Sequence, residues 1–326
     1  MNCATPMLFR KFVLFVFSSS FSSLLFAQQD DSTVSTLSTV EVSAYGQVRK
    51  LKDVPAAVGY INKQMLNRFS PASAVAAMNT VAGVRMEERS PGSYRFNIRG
   101  SSLRSPFGVR NVKVYYNDIP FTDPGGHTYL NGLGYYNFNS VEILKGPGSS
   151  LYGAGTGGVL LIEGMSPNER ANVMAEYTTG SFGLHNAYAG VTTGDGENKS
   201  RLGFQHQQSD GFRDHSALRR NILSWSGHHK LGETQVLKTT FLYSDLYYQT
   251  PGALTKTEFE ANPRASRPGG GGFPSAVQSR AAIYQKTFLA GASLTQKLTA
   301  GITNQSVAYA SFTELRNPTI RNYGKG

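Results

Sequence analysis

From Ala171 onward, apolar and polar residues alternate over stretches of about nine residues or more, the pattern of barrel strands with one face to hydrocarbon and one to water. Val173, Ala175 and Tyr177 alternate with Met174, Glu176 and Thr178, and Leu202 and Phe204 with Arg201, Gly203 and Gln205. Leu237, Phe241 and Tyr243 lie opposite Lys238, Thr240 and Ser244, and Phe288, Ala290, Ala292 and Leu294 opposite Thr287, Gly291, Ser293 and Thr295. A soluble β-sandwich produces the same alternation. About seven such strands precede Gly326, and the ending RNYGKG is not an amphipathic closing strand with a terminal aromatic. An open sheet in lipid would leave two edges of unpaired backbone groups. The expectation is therefore the N-terminal part of a larger barrel.

Turn lengths orient the strands. The connections at Gly194–Ser200, Lys230–Thr234 and Leu298–Gly301 are short, while that from about Gln249 to Val277 is long and rich in Gly, Pro and charge. Short turns belong on the periplasmic side of such barrels and long loops outside.

Residues 53–167 have a different grammar. Asn62 is placed to cap a short helix through Leu66, and Ser70–Pro71 reads as a helix start running to about Met78. Val81–Arg85, Tyr94–Arg99, Val112–Tyr116, Val141–Lys145 and Val159–Ile162 read as short strands, with Asn117–Asp118 as a turn. The expected fold is thus a mixed α+β domain followed by antiparallel transmembrane β-barrel strands from residue 168 to 326.

The N-terminus changes the compartment. Arg10 and Lys11 precede an apolar run from Phe12 to Phe26, and Ala27 is a plausible cleavage position, so residues 1–27 read as a secretory signal. Cys3 is the sole cysteine and lies before that run, leaving no disulfide framework and no cysteine-held metal. Residues 28–52 form a polar leader. The net charge of +11 raises nucleic acid as a partner. The signal and the scattered placement of the basic residues argue against it.

The stretch VEILKGPGSSLYGAGTGGVLLIEG, Val141 to Gly164, almost fits two nucleotide motifs. Ala154 and Gly155 stand where a phosphate loop needs Lys and Ser/Thr. Gly153, Gly155 and Gly158 match a dinucleotide fingerprint, but a short apolar run follows in place of the required helix. The histidines at 127, 185, 206, 215, 228 and 229 show no zincin spacing, and Ser149 and Ser150 lack a nucleophile elbow. No catalytic or resident metal site is expected, and no intrinsic cofactor.

That glycine-rich stretch resembles the end of the plug domain of TonB-dependent outer-membrane receptors. FNIRG at Phe96–Gly100 resembles the family's IRG element, and YYNDIP at Tyr115–Pro120 its x-x-D-G-x-P element, with Ile119 taken to stand at the usual glycine. Thr39–Ala44 (Thr39, Val40, Glu41, Val42, Ser43 and Ala44) resembles a TonB box, which works by adding a strand to the energy-coupling protein and must be free to pair. It also reads as the plug's first strand. YQTPGALT at Tyr248–Thr255 and ANPR at Ala261–Arg264 resemble the ferric citrate receptor branch.

The resemblance implies an importer in the outer membrane of a Gram-negative bacterium, a monomer driven by TonB, that binds its ligand above the plug. It points to a ferric siderophore or ferric citrate, iron entering only within the chelate; a cobalamin or oligosaccharide importer shares the fold. Arg104, Phe107 and Arg110 on one plug loop and His127 and Tyr129 on another are candidate ligand contacts, since guanidinium groups suit anionic oxygens. Bridging plug to wall is the equal alternative for them. Arg99, Glu142 and Lys145 are assigned to plug–barrel structure. Lys256, Arg264, Arg267, Arg213, Arg219 and Arg220 would attract an anionic chelate or bind lipopolysaccharide phosphates at the lipid surface.

Overall fold

The computed structural model describes residues 40–43, 46, 48–101, 109–166, 168–318 and 322–325. The chain from Glu41 to Gly326 forms one unit with two large sheets of different character and two two-stranded hairpins. Strands β1 (Glu41–Val42) and β2 (Arg49–Lys50) make a small hairpin. After them come β3 (Val58–Ile61), β4 (Val84–Glu88), β5 (Tyr94–Ile98), β6 (Val112–Tyr116), β7 (Ile119–Pro120), β8 (Ser140–Lys145) and β9 (Gly158–Glu163). The plug's central sheet has the order β3-β8-β9-β6-β7, with β6 and β9 parallel and the other neighbours antiparallel. Strands β4 and β5 form a separate hairpin.

Strand β8 lies inside the sheet, between β3 and β9, and so has four consecutive buried positions from Val141 to Leu144, the carboxylate of Glu142 among them. Ile61, Leu66, Met78, Ile98, Val114, Ile143 and Leu160 are buried in the plug core. Each such side chain contributes roughly 1.5–3 kcal/mol by leaving water. The glycine-rich stretch joins β8 to β9 through a single helical turn, α3 (Ser149–Tyr152), so a strand and not a helix follows the glycines. Gly158 has φ 140°, and a Cβ there would collide with the Leu144 carbonyl oxygen across the β8–β9 pair.

Helix α1 (Lys63–Leu66) begins as its cap predicts: Asn62 Oδ1 accepts from the Met65 amide at 2.8 Å. The second helix is shorter than expected. Only α2 (Val75–Met78) is helical, and Ser70–Pro71 does not start it. The side chains of Asn186 and Gln207 on the barrel wall donate to the carbonyls of Pro71 and Ala72, and Ser73 Oγ accepts from the Val75 amide. These bonds hold the backbone of this segment in turns.

The wall comprises β10 (Asn172–Gly180), β11 (Leu184–Asp195), β12 (Asn198–Ser209), β13 (Leu218–Lys230), β14 (Gln235–Gln249), β15 (Ala282–Thr299), β16 (Ile302–Asn317) and β17 (Asn322–Lys325). They pair antiparallel in chain order as an eight-stranded sheet in which β10 and β17 are not neighbours. The long connection spans residues 250–281 and contains α4 (Lys256–Ala261), which opens on a capping box between Thr255 and Glu258.

Register separates the two faces. Leu202, Trp225 and Phe241 lie in one cross-strand row, and Phe204, Leu223, Tyr243, Phe288 and Phe312 in the next row on the same face. The opposite face carries Gln205, Ser224, Ser226, Thr240, Ser244, Thr287 and Ser293, all buried. Trp225 is 46% exposed while its neighbour Ser226 is 4% exposed. A soluble sandwich would bury the aromatic face and wet the polar one. The inversion identifies a barrel wall, apolar outside and polar toward the plug.

Candidate functional site

The energy-coupling candidate is already partly structured. Thr39 and Ala44 lie outside the described residues. Glu41 pairs with Lys50 and Val42 with Arg49, and Val42 is buried. Ser43 donates its amide to both carboxylate oxygens of Glu142, at 2.9 Å each, and its hydroxyl to Oε1 at 3.2 Å. The expectation of a free segment is corrected for Glu41–Ser43. These residues fold back on β2 and are held by β8, because a buried carboxylate is stabilised by amide and hydroxyl donors. The alternative, a first plug strand, is half met: a strand forms, but outside the central sheet.

Of the ligand-contact candidates, Arg104 and Phe107 lie outside the described residues. Arg110, His127 and Tyr129 are brought together. Arg110 Nε donates to His127 Nδ1 at 3.2 Å, and the His127 and Tyr129 rings stack with centroids 6.4 Å apart. Asp123 fixes the loop by accepting the His127 amide at 2.8 Å. Burial raises the Tyr129 pKa, Asp123 adds to the rise, and Arg110 opposes it. Tyr129 also interacts electrostatically with Tyr248, near the long-loop end of β14.

The β4–β5 turn was not singled out as a site. Its Ser90-Pro91-Gly92 sequence carried only a turn signal. In the fold it reaches the long-loop end of the wall: a Cβ on Gly92 would meet Leu218 Cδ1 at 2.9 Å and Tyr248 Cδ1 at 3.4 Å. A cavity of about 250 Å³ lies between this turn, through Glu88, Arg89 and Pro91, and the wall loops, through Phe212, Arg213 and Pro251. Arg213 braces those loops by donating to the carbonyls of Gly252 (2.7 Å) and Ala265 (2.8 and 3.0 Å). The Arg264 guanidinium lies 5.8 and 5.9 Å from the rings of Phe182 and Phe212, tying three connections together. Burial raises the Glu88 pKa, against the Gly92 amide bond and the charge of Arg220.

Among the contacts described for the three residues assigned to plug–barrel structure, two lie within the plug and one joins the plug to the leader. Arg99 Nη1 donates to the Lys145 carbonyl at 3.2 Å, the Lys145 amide donates to Ala57, and Glu142 holds Ser43. The wall is gripped elsewhere. Asn117 Nδ2 donates to Ser226 Oγ (3.3 Å) and Thr240 Oγ1 (3.0 Å), while its Oδ1 accepts from the Gly164 amide at 2.7 Å. Arg201 pairs with Glu169 at 3.3 Å and donates to the carbonyls of Tyr136 and Gly164. Lys238 meets Asp118 at 3.1 Å and Glu163 at 2.8 Å.

The β6–β7 turn also corrects the reading of Ile119. Positive φ falls on Asn117 (49°) and Asp118 (70°), whereas Ile119 is already in β7, paired with Tyr116. Two positive-φ residues define the type I′ hairpin turn. Asp118, not Ile119, therefore occupies the position that suits glycine.

Among the described residues, no three His, Cys, Asp or Glu side chains gather as a metal site. No described helix is long and apolar enough to cross a membrane.

Residues 50–159 match the TonB-dependent receptor plug domain family. The metal-pseudopaline receptor CntO of Pseudomonas aeruginosa is 25% identical over 179 residues, 54% of this chain and 24% of the relative. The chain thus spans about a quarter of that curated relative. The unliganded ferric citrate transporter FecA aligns with TM-score 0.62 and 18% identity, covering 80% of this chain and 40% of the other. The ferric yersiniabactin uptake receptor FyuA of Yersinia pestis aligns with TM-score 0.63 and 14% identity, covering 80% and 41%. Residues 50–159 thus carry the match to the TonB-dependent receptor plug domain family, and the sheet behind them is similar in fold to the barrel wall of such receptors.

Proposed function

We propose that the protein imports an iron chelate, a ferric siderophore or ferric citrate, across the bacterial outer membrane, bound above the plug and released by TonB-driven plug movement. The observation that carries this reading is the cavity between the β4–β5 turn and the wall loops, with Arg89 on the plug side and Arg213 on the wall side. It lies at the long-loop end, which faces outside in such barrels. Arg110, on the neighbouring plug loop, adds another guanidinium. Anionic carboxylate or catecholate oxygens suit such donors. Ligands named for the relatives, a metal-pseudopaline complex and ferric citrate, support the metal-chelate class.

The energy-coupling segment in this reading is Thr39–Ala44. It leaves β2 and Glu142 and adds a strand to TonB. The histidines and carboxylates serve packing and charge rather than chemistry, and iron travels only within its chelate. Binding and uptake of radiolabelled ferric citrate by whole cells expressing the native gene tests the reading. Replacing Arg89 and Arg110 together by Gln is expected to weaken surface binding by at least tenfold. Equal affinity in variant and parent counts against the site. Uptake of cyanocobalamin or a maltooligosaccharide in place of ferric citrate assigns the other ligand class.

A further inference from the structure

Asp118 occupies a backbone position that a glycine would fill with less strain. Its φ of 70° follows the positive φ of Asn117, and the type I′ turn favours Asn-Gly over Asn-Asp. Strain kept in a fold points to something the strained side chain does. Here the carboxylate reaches across the plug–wall seam to Lys238 on β14.

Lys238 is held from two places at once. Asp118 follows β6, and Glu163 closes β9, its parallel neighbour in the plug's central sheet. A single wall ammonium therefore bridges the ends of two adjacent plug strands, with all three side chains partly screened from water. Asn117, one residue away, binds Ser226 and Thr240 on the same wall. His228 sits opposite Lys238 in register and acts electrostatically on Glu163. An ion pair in such a seam is strong at contact and weakens as water enters. It resists the first displacement more than the later ones.

We propose that Asp118, Lys238 and Glu163 form a catch that holds the plug's central sheet to the barrel wall and sets how readily the plug is displaced. The proposal rests on the reading that the plug moves during transport, and its test needs neither the ligand nor TonB.

Asp118→Gly separates the catch from simple turn architecture, because it relieves the backbone while deleting the carboxylate. The protein expressed from its native gene and reconstituted in lipid is pulled through the leader, and the force that extracts the plug is recorded. Asp118→Gly and Lys238→Met are each expected to lower that force, while Lys238→Arg holds it near the parent. Asp118→Gly combined with Lys238→Met should fall little below Lys238→Met alone, since both remove one device. In cells, the same two single variants are expected to become severalfold more sensitive to vancomycin, which is too large to pass a seated plug. If Asp118→Gly fails to reach the membrane, Asp118→Asn decides, because it keeps a side chain tolerant of positive φ. An extraction force unchanged or raised in the Asp118 variant, with vancomycin sensitivity at the parental level, overturns the catch.

Discussion

The amide of Ser43 donates to both carboxylate oxygens of Glu142, 99 residues later in the chain, at 2.9 Å each. The segment proposed to hand energy to the plug is thereby tied to the plug's own central sheet. Removal of the carboxylate in Glu142→Ala is expected to free Glu41–Ser43. A cysteine placed at Glu41 should then crosslink to TonB in cells without added ligand, and more than in the parent. Equal crosslinking in both would show that the bond does not restrain the segment.

Val42→Pro addresses the same segment from the other side. Proline cannot donate to a ladder. It should block strand addition to TonB, so uptake of ferric citrate falls while surface binding persists. Unchanged uptake would remove Thr39–Ala44 from the coupling role.

Gly158 is the most constrained glycine of the β8–β9 connection. Its φ of 140° is closed to L side chains, and a Cβ would overlap the Leu144 carbonyl oxygen. Gly158→Ala should destabilise the plug by about 3 kcal/mol or more, combining backbone strain with a broken strand pair. Thermal unfolding of the purified receptor measures this. A shift of less than a degree would show that β9 yields without loss.

Lys63 gives a pH dependence with a definite sign. Its ammonium lies 4.9 Å from the Tyr135 ring centroid and 6.0 Å from that of Tyr136. Burial, then the charge of Arg201, lowers its pKa from 10.5 to about 8. Above pH 8 the folded protein sheds this proton, while the unfolded chain keeps it until about pH 10.4. Stability from this group therefore rises with pH from about 8 upward. Lys63→Met should abolish that rise and should be more stable than the parent at pH 7 by about 1–2 kcal/mol, after loss of the cation–π contact. Melting curves from pH 7 to 9.5 with the same slope in both proteins would contradict the assignment.

Much of this was legible locally. The limits of β6, Val112–Tyr116, follow from its alternation, and Asn62 announced α1 three residues before its amide partner. The wall strands were readable because period-two alternation survives wherever one face meets lipid and the other a polar lumen. What stayed hidden depends on partners distant in sequence. Asn186 and Gln207 take the carbonyls of Pro71 and Ala72, and nothing near Ser70 signals that. Lys238 looked like any inward polar residue until the fold set it between Asp118 and Glu163. The turn at Ser90–Gly92 joins β4 to β5, and its place beside the cavity follows from the fold and not from any signal at those residues.

The two faces of the wall yield the last prediction. Leu223 lies in the apolar row with Phe204 and Tyr243, and Asn221 in the row above, between His206 and Asp245. Both point outward, so both avoid the plug seam. Leu223→Arg puts a charge in the apolar band and should cost about 2–4 kcal/mol if the row lies near the bilayer midplane, and Asn221→Arg about 0–1 kcal/mol at the interface. Urea titrations of the receptor folded into liposomes give both values. The difference arises because an arginine two residues farther along the strand reaches water, while one at Leu223 must draw water or thin the bilayer around it. Equal costs at the two positions would place the membrane boundary elsewhere on β13 and would shift the apolar band by at least one row.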